Sequence, residues 1–502
     1  MDFREFYLAL CSWRRLVSIL LIGCGLAAQP AEANNLKIAN PEVKAEWARG
    51  YASIGCDVSW ENSWRVTSEE PAGVIHTNWD AAWIFAKYRT KDGVWRHASL
   101  KGSRGDHEAG PGAALQVGLA SGTEGESFGV GVFLYRSAEG SGPWGSRVNL
   151  CWDCARDGVD GSSQVEVSIH AIEMVYVPRG AFYLGSGGDE RGEFTDGRRV
   201  AGNTIPFVIG SEKPLRIANE PGALWSVSVY PGDSIGPPGE LPAAYPKGYR
   251  AFYCMKYELT QGLYADFLNR LAPSQAACRY PNHYNECRFS IVARGGVYQA
   301  EAPDRACNFL SWHDGLAFAD WAGLRPMTEL EYEKACRGPL TPLPGEFAWG
   351  TTVITPLTGF CGDDGSGAET ALPSGANCNF KNRVQGPVRA GIFASATSGR
   401  GASGATFWGI LEMSGNLWER AVTVGTIAGR RFGGEHGDGT LDSMGEANVP
   451  GWPGPAGAGF RGGSWQNVNV FLSVSSRRLA ACAHKDRKMV FGFRAVRTAP
   501  EE

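Results

Sequence analysis

Residue types able to do chemistry are plentiful in this chain but thinly grouped. It carries thirteen cysteines and eight histidines. Cys151-Trp152-Asp153-Cys154 is a lone CxxC, and a zinc centre needs four ligands. No second CxxC or nearby histidine pair supplies the other two, so a local disulfide or two buried thiols is the reading it supports. Cys278 and Cys287 flank a short polar loop and are the expected disulfide in an oxidising compartment. The histidines (His76, His97, His107, His170, His283, His313, His436, His484) never fall at HxH or HxxxH spacing. Asp57, Glu61, Asn78 and Asp80 sit among Trp60, Trp64 and Trp79. They are expected to cap turns around core aromatics, with a carbohydrate or ion site as the alternative. Cys482 stands alone and is expected to be a small packed residue.

Composition narrows the class of protein. At 502 residues, 43% hydrophobic and 20% charged, the chain has room for two or three domains and a large core. Its 67 glycines lack a collagen period and imply many turns, and its 17 tryptophans need a large core or a binding surface. A net charge of -4, with no long basic run, gives no basis for nucleic-acid binding. Arg4, Arg14 and Arg15, the apolar run Leu16 to Ala28 and the small-x-small site Ala31-Glu32-Ala33 read as an export signal over 1–33. The expected location is therefore exported: periplasmic, outer-membrane lipoprotein or secreted. Leu21-Ile22-Gly23-Cys24 fits a lipoprotein box, which would place a membrane lipid anchor at Cys24, and Arg14-Arg15 offers a twin-arginine alternative.

Stepping from these residues to the elements that hold them, 35–170 reads as short strands. Ala82-Trp83-Ile84-Phe85-Ala86-Lys87-Tyr88, Gly129 to Tyr135, Val148 to Trp152 and Val165 to Ile169 are separated by Gly, Ser and Asp clusters. A β-sandwich domain is expected there. A second domain opens near Ile172 with the hairpin Glu173 to Ser186, and Asp189 to Tyr249 reads as a long surface insertion. Further on, Thr260 caps a helix over Gln261 to Leu271, and Ser311 caps a second. Thr328 and Glu331 form a capping box for a third.

Five blocks then occur in order. They are Phe252 to Thr260, Cys307 to Asp314, Leu324 to Glu333 and Phe347-Ala348-Trp349-Gly350. Last comes Leu411-Glu412-Met413-Ser414-Gly415-Asn416-Leu417-Trp418-Glu419, with Phe460 to Trp465 and the closing Gly492-Phe493-Arg494. With the hairpin Met174-Val175-Tyr176-Val177-Pro178, these resemble the formylglycine-generating-enzyme, or sulfatase-modifying-factor, domain. The resemblance covers 172–498. It implies an α+β architecture, an irregular C-type lectin-like domain preceded here by the β-sandwich.

The resemblance also implies a chemistry that the residues do not match. Family enzymes hold copper with two cysteines just after the Arg-Gly-Gly-Ser strand, because thiolates select Cu(I). Asn467 and Leu472 occupy those positions, so no copper is expected and no catalytic residue is assigned. The family's iron-dependent branch needs paired histidines that are absent here. Calcium is the cofactor the resemblance suggests, on Asn416, the Leu417 carbonyl and Glu419; the alternative is that Asn416 caps a turn and Glu419 pairs with an arginine. A second family position would use Asn377 and the Cys378 carbonyl. The expected ligand-binding surface is Trp465, Gln466, Asn467, Val468, Asn469, Val470, Arg478, Leu479, His484 and Lys485. Similar domains are the variable proteins of diversity-generating retroelements. The expected function is an exported, non-catalytic binder of a protein, peptide or glycan, with a family oxidoreductase as the alternative.

Overall fold

A computed structural model describes residues 35–122, 125–228, 230, 232–395 and 397–500. The expected export signal and Cys24 lie outside the described residues. Most regular structure in the described residues is strand, with few and short helices, as an α+β fold requires. Among the described residues no helix is long and apolar enough to cross a membrane.

The elements that matter for the site are the following. Strands β1 (Lys37–Glu46), β2 (Tyr51–Glu69), β3 (Ile75–Arg89), β4 (Ala113–Ser121), β5 (Ser127–Arg136) and β6 (Gly140–Trp152) come first. Then follow β7 (Glu166–Val177), β8 (Phe252–Met255), helix α1 (Gln261–Leu268), helix α2 (Trp312–Trp321), β9 (Arg325–Pro326) and helix α3 (Glu329–Arg337). Strands β10 (Glu419–Val422), β11 (Ala458–Arg461) and β12 (Ala495–Thr498) complete the set. One antiparallel sheet runs in the order β9-β12-β8-β7-β3-β2-β6, with β1 on β2 and β5 joining β3 to β4.

The division expected between 35–170 and 172–498 falls inside β7. That strand pairs with β3 from Glu166↔Arg89 to Val175↔Asp80, and its last residues also pair with β8, as in Met174↔Met255. The sheet therefore crosses the boundary without a break.

Strand β3 shows why. Side chains alternate across a strand. Ala82, Ile84, Ala86 and Tyr88 pack against Ile54, Val58, Val148 and Leu150 of β2 and β6. Ala81, Trp83 and Phe85 point the other way, into a core shared with Trp321 and Ala322 at the end of α2. A strand buried on both faces needs the continuous apolar run seen at Ala81 to Ala86. The carbonyls at a helix end lack intrahelical partners. Those of α2 are satisfied from this sheet: Lys87 Nζ donates to the Trp321 carbonyl at 2.6 Å and Trp83 Nε1 to that of Ala322 at 2.7 Å. Arg497 of β12 donates to the Gly323 carbonyl.

The caps form as expected. The Thr260 hydroxyl accepts from Leu263 N at 3.3 Å, though α1 ends at Leu268 rather than Leu271. Thr328 Oγ1 accepts from Glu331 N at 3.1 Å, and Glu331 Oε2 accepts from Thr328 N at 3.0 Å.

Two expectations are corrected. The stretch Asp189 to Tyr249 is not a surface insertion: Phe194, Ile217, Leu224, Ile235, Leu241 and Tyr245 are buried in the main core. Its glycines and prolines make the turns, and isolated apolar residues between them point inward. Cys278 and Cys287 form no disulfide; both are free thiols, and Cys287 Sγ packs 3.4 Å from Met489 Sδ. Cys151 and Cys154 are free as well. Of the tryptophan-rich acidic group Asn78 and Asp80 are core structure, with Asp80 accepting from Trp60 Nε1 at 2.8 Å, Ser63 Oγ at 3.0 Å and Trp64 N at 2.9 Å, whereas Asp57 is half-buried and Glu61 is exposed.

Candidate functional site

The segment after β11 is fixed at its base by buried ion pairs. Arg461 reaches Glu333 at 2.7 Å and Glu329 at 3.1 Å, and Arg477 Nε reaches Glu329 Oε2 at 2.7 Å. Burial works to raise the Glu329 carboxyl, and the Arg477 and Arg461 guanidiniums outweigh it, holding it below its ordinary value. Glu329 and Glu333 both stand on α3, whose capping box starts the helix, so one short helix anchors both ends of the loop 462–476. Glu419, directly across the ladder from Arg461, pairs through Oε1 with Arg494 Nε at 2.7 Å.

Within that frame the two positions expected for copper ligands carry out packing. Asn467 Oδ1 accepts from Ser464 N at 3.0 Å and Ser464 Oγ at 2.7 Å, closing a turn. Leu472 is fully buried among Phe347, Trp349 and Cys378. An amide held by its own turn and an aliphatic plug offer no soft ligand. Cys378 is the thiol nearest that plug, and its Sγ lies 3.3 Å from the Ser414 carbonyl.

Of the residues expected to face a ligand, Gln466, Val468, Asn469, Val470 and Lys485 are exposed. Val468 and Val470 show 42% and 46% of their surface. Asn467, Arg478, Leu479 and His484 are half-buried. Trp465 is corrected: it is 3% exposed and packs on Ala306 and Leu417, so it supports the surface from beneath. Behind the loop lies an aromatic group of Trp418, Phe460 and Phe491, against which Phe471, Leu479 and Cys482 pack. His484 stacks edge-on to Phe491, its ring centroid 5.1 Å away.

The turn expected to hold calcium is arranged differently from the expectation. Asn416 has φ of 57°, a left-handed conformation that asparagine tolerates better than most residues. Its Oδ1 accepts from Val388 N at 2.9 Å, and its Nδ2 donates to Glu258 Oε2. The amide oxygen is thus engaged in the fold. The anionic groups gathered here are Glu258, Glu412 and Glu419, facing Arg494, with Arg389 and Lys256 also near Glu412. Glu412 Oε2 and Glu419 Oε2 are buried without a hydrogen-bond partner. Burial pushes Glu412 up to about 7, with Arg494 opposing and Glu419 adding. Burial, with Glu419 as a like charge, also pushes Glu258 well up. Orphaned carboxylate oxygens beside backbone carbonyls are the donor set a hard cation uses. No group of three His, Cys, Asp or Glu side chains among the described residues converges closely enough to form a cage alone. At the second family position Asn377 Oδ1 accepts from Thr355 N and the Cys378 carbonyl from Leu357 N, both at 2.9 Å.

Sequence reasoning did not pick out Glu258 and Glu412. The available signal was a carboxylate inside an apolar run, Glu258 before Leu259 and Glu412 between Leu411 and Met413, where an exposed charge is out of place.

A mostly-sheet α+β fold, a glycine-rich loop pinned by buried arginines and the Ser414-Gly415-Asn416 turn define a class of protein. The model of the sulfatase-modifying factor enzyme 1-like domain matches residues 162–499. The chain belongs to that family. No curated protein matches it at a meaningful level of similarity.

Proposed function

We propose that this chain is an exported, non-catalytic member of the sulfatase-modifying-factor family whose lectin-like domain binds a ligand through the surface around Gln466 to Val470, Arg478, Leu479, His484 and Lys485. The observation that carries this reading is the fate of the two copper positions. Asn467 is spent on a turn and Leu472 is a buried plug. A thiolate pair at those positions is what oxygen activation by this family's enzymes needs. Exposed valines beside asparagines and flanking cations suit a protein, peptide or glycan partner. Similar domains serve as the variable proteins of diversity-generating retroelements, and this chain is read as one of them. A reverse transcriptase beside the gene, with a near-repeat of its 3′ coding segment, would support that origin, and their absence would remove it.

In this reading residues 35–170 form a β-sandwich built into the family domain through β7. The acidic turn binds Ca²⁺ through Glu412 and Glu419, with Glu258 behind them and the Leu417 carbonyl as a further donor. Bound there, the cation would offset buried negative charge and fix the Gly415-Asn416 turn beneath the loop; it is assigned no part in a reaction. Elemental analysis of the purified chain tests both points. Calcium near one equivalent, without copper or iron, is expected. Stoichiometric copper or iron, or conversion of a cysteine peptide to formylglycine, would overturn the reading in favour of a family oxidoreductase.

A further inference from the structure

A cavity of about 740 Å³ lies between β4 and the carboxy-terminal strand β12, within the size range of small-molecule sites. Leu119, Ala499 and Pro500 supply apolar surface, while Leu115 and Val117 of β4 border the space with their side chains turned away into the core of β2, β3 and β6. Arg104, Gln116, Tyr135, His436 and Arg497 supply the polar groups, and among the described residues no carboxylate lines the space.

Arg497 is the unusual member. It is 1% exposed, yet no carboxylate among the described residues lies within ion-pair distance of it. Its two terminal nitrogens donate to the Gly323 and Leu119 carbonyls instead, and its guanidinium lies 5.0 Å from the centre of the Trp83 ring. Burial, with Arg325 as a neighbouring like charge, pulls its pKa down to about 9. A buried cation without a counter-charge carries a desolvation cost of several kcal/mol. The backbone makes room for it: a Cβ on Gly118 would come within 2.5 Å of Arg497 Nε and 2.4 Å of the Trp83 ring. Glycine at 118 therefore lets the guanidinium lie along the cavity.

We propose that this cavity binds an organic anion with an apolar body, the anionic group meeting Arg497 and Arg104 and the body lying against Leu119 and Pro500. An anion there would supply the charge Arg497 lacks through a charge-assisted hydrogen bond. His436 Nε2 accepts from Thr498 N at 3.0 Å and so fixes one corner of the site with a neutral ring. The site uses residues of β4 and β12 and is independent of the loop surface proposed above.

The test is fluorescence titration of the full purified chain with 8-anilinonaphthalene-1-sulfonate and with uncharged N-phenyl-1-naphthylamine. Saturable one-site binding of the sulfonate is expected, about tenfold tighter than the neutral probe. Two variants at exposed positions keep the fold out of the question: Arg104→Gln is expected to weaken the sulfonate several-fold, and Leu119→Glu, at a position 43% exposed, by about tenfold or more. No saturable binding, equal affinity for the two probes, or sulfonate binding unchanged in both variants would overturn the proposal.

Discussion

Glu329 joins the helix that starts with the family's capping box to the loop that carries the proposed surface. Its Oε2 accepts from Arg461 Nη1 at 3.1 Å and Arg477 Nε at 2.7 Å. Its Oε1 accepts from Arg477 Nη2 at 3.1 Å, Thr423 Oγ1 at 2.9 Å and Val424 N at 2.8 Å. Glu329→Gln keeps the volume and one oxygen but turns an amide donor toward a guanidinium. Arg461 still has Glu333, whereas Arg477 keeps only the Gly192 and Asp233 carbonyls, at 3.0 and 2.9 Å. Removing one partner of a buried pair costs about 3–5 kcal/mol. The pH dependence follows from the depressed carboxyl. Its contribution is fully present above the ordinary value of 4.5 and is lost as pH falls through the lower folded-state value. Urea unfolding followed by tryptophan fluorescence should therefore show a deficit of about 3–5 kcal/mol near neutral pH that shrinks on acidification below that range. Hydrogen exchange should rise in 462–476 before it rises in β3. A deficit below about 1 kcal/mol near neutral pH, or one of equal size at acid pH, refutes the reasoning that the ion pairs pin the loop.

Lys87→Met leaves the Trp321 and Gly439 carbonyls without their donor, and thermal unfolding should report a loss of about 1–3 kcal/mol. Asn467→Cys with Leu472→Cys places thiols at the two family copper positions; competition with a Cu(I) chelator should reveal one new copper site, at a stability cost of about 2 kcal/mol for the lost leucine. For Glu412, raised to about 7, the unfolded chain ionises first, so without calcium this group removes stability as pH climbs from 4.5 toward that value. Glu412→Gln should flatten that fall in thermal midpoint, and added Ca²⁺ should restore stability near neutral pH in the parent chain but not in the variant.

Much of the family domain was legible because its signals are local. A capping box is two residues three apart, and Thr328 with Glu331 forms the bonds their spacing implies. The positions expected for copper ligands, Asn467 and Leu472, rest on a local count from Ser464. What escaped depends on contacts distant in sequence. The oxygen of Asn416 looked available until Val388 N, 28 residues earlier, was found to use it. The Glu258–Glu412–Glu419 group draws on three separate segments. Trp465 adjoins the exposed loop in sequence, but Leu417 and Ala306 cover it. The cysteines at 278 and 287 are close along the chain, yet both are free thiols and Cys287 Sγ packs on Met489.

The relation between the first strands and the rest carries the last prediction. The unbroken apolar run Ala81 to Ala86 implies burial on both faces, but nothing in it says which layer covers the face of Ala81, Trp83 and Phe85. In the structure β3 is sandwiched between two cores, and its side chains complete the carbonyl end of α2. A chain beginning at Ile172 would cut β7 within its pairing to β3. It would expose the edge of a sheet that still holds β8 and β12, a template for aggregation. It would strip the Trp321 and Ala322 carbonyls of their donors, at about 1–3 kcal/mol each, before any loss of apolar contact at Trp321 is counted. Marginal stability of about 5–15 kcal/mol leaves little room for that. The truncated chain should therefore be insoluble or bind hydrophobic dyes without cooperative unfolding, whereas 35–502 unfolds as one body. A soluble chain beginning at Ile172 with a sharp thermal transition would show that the amino-terminal strands are an accessory layer, and that α2 finds other partners for its last turn.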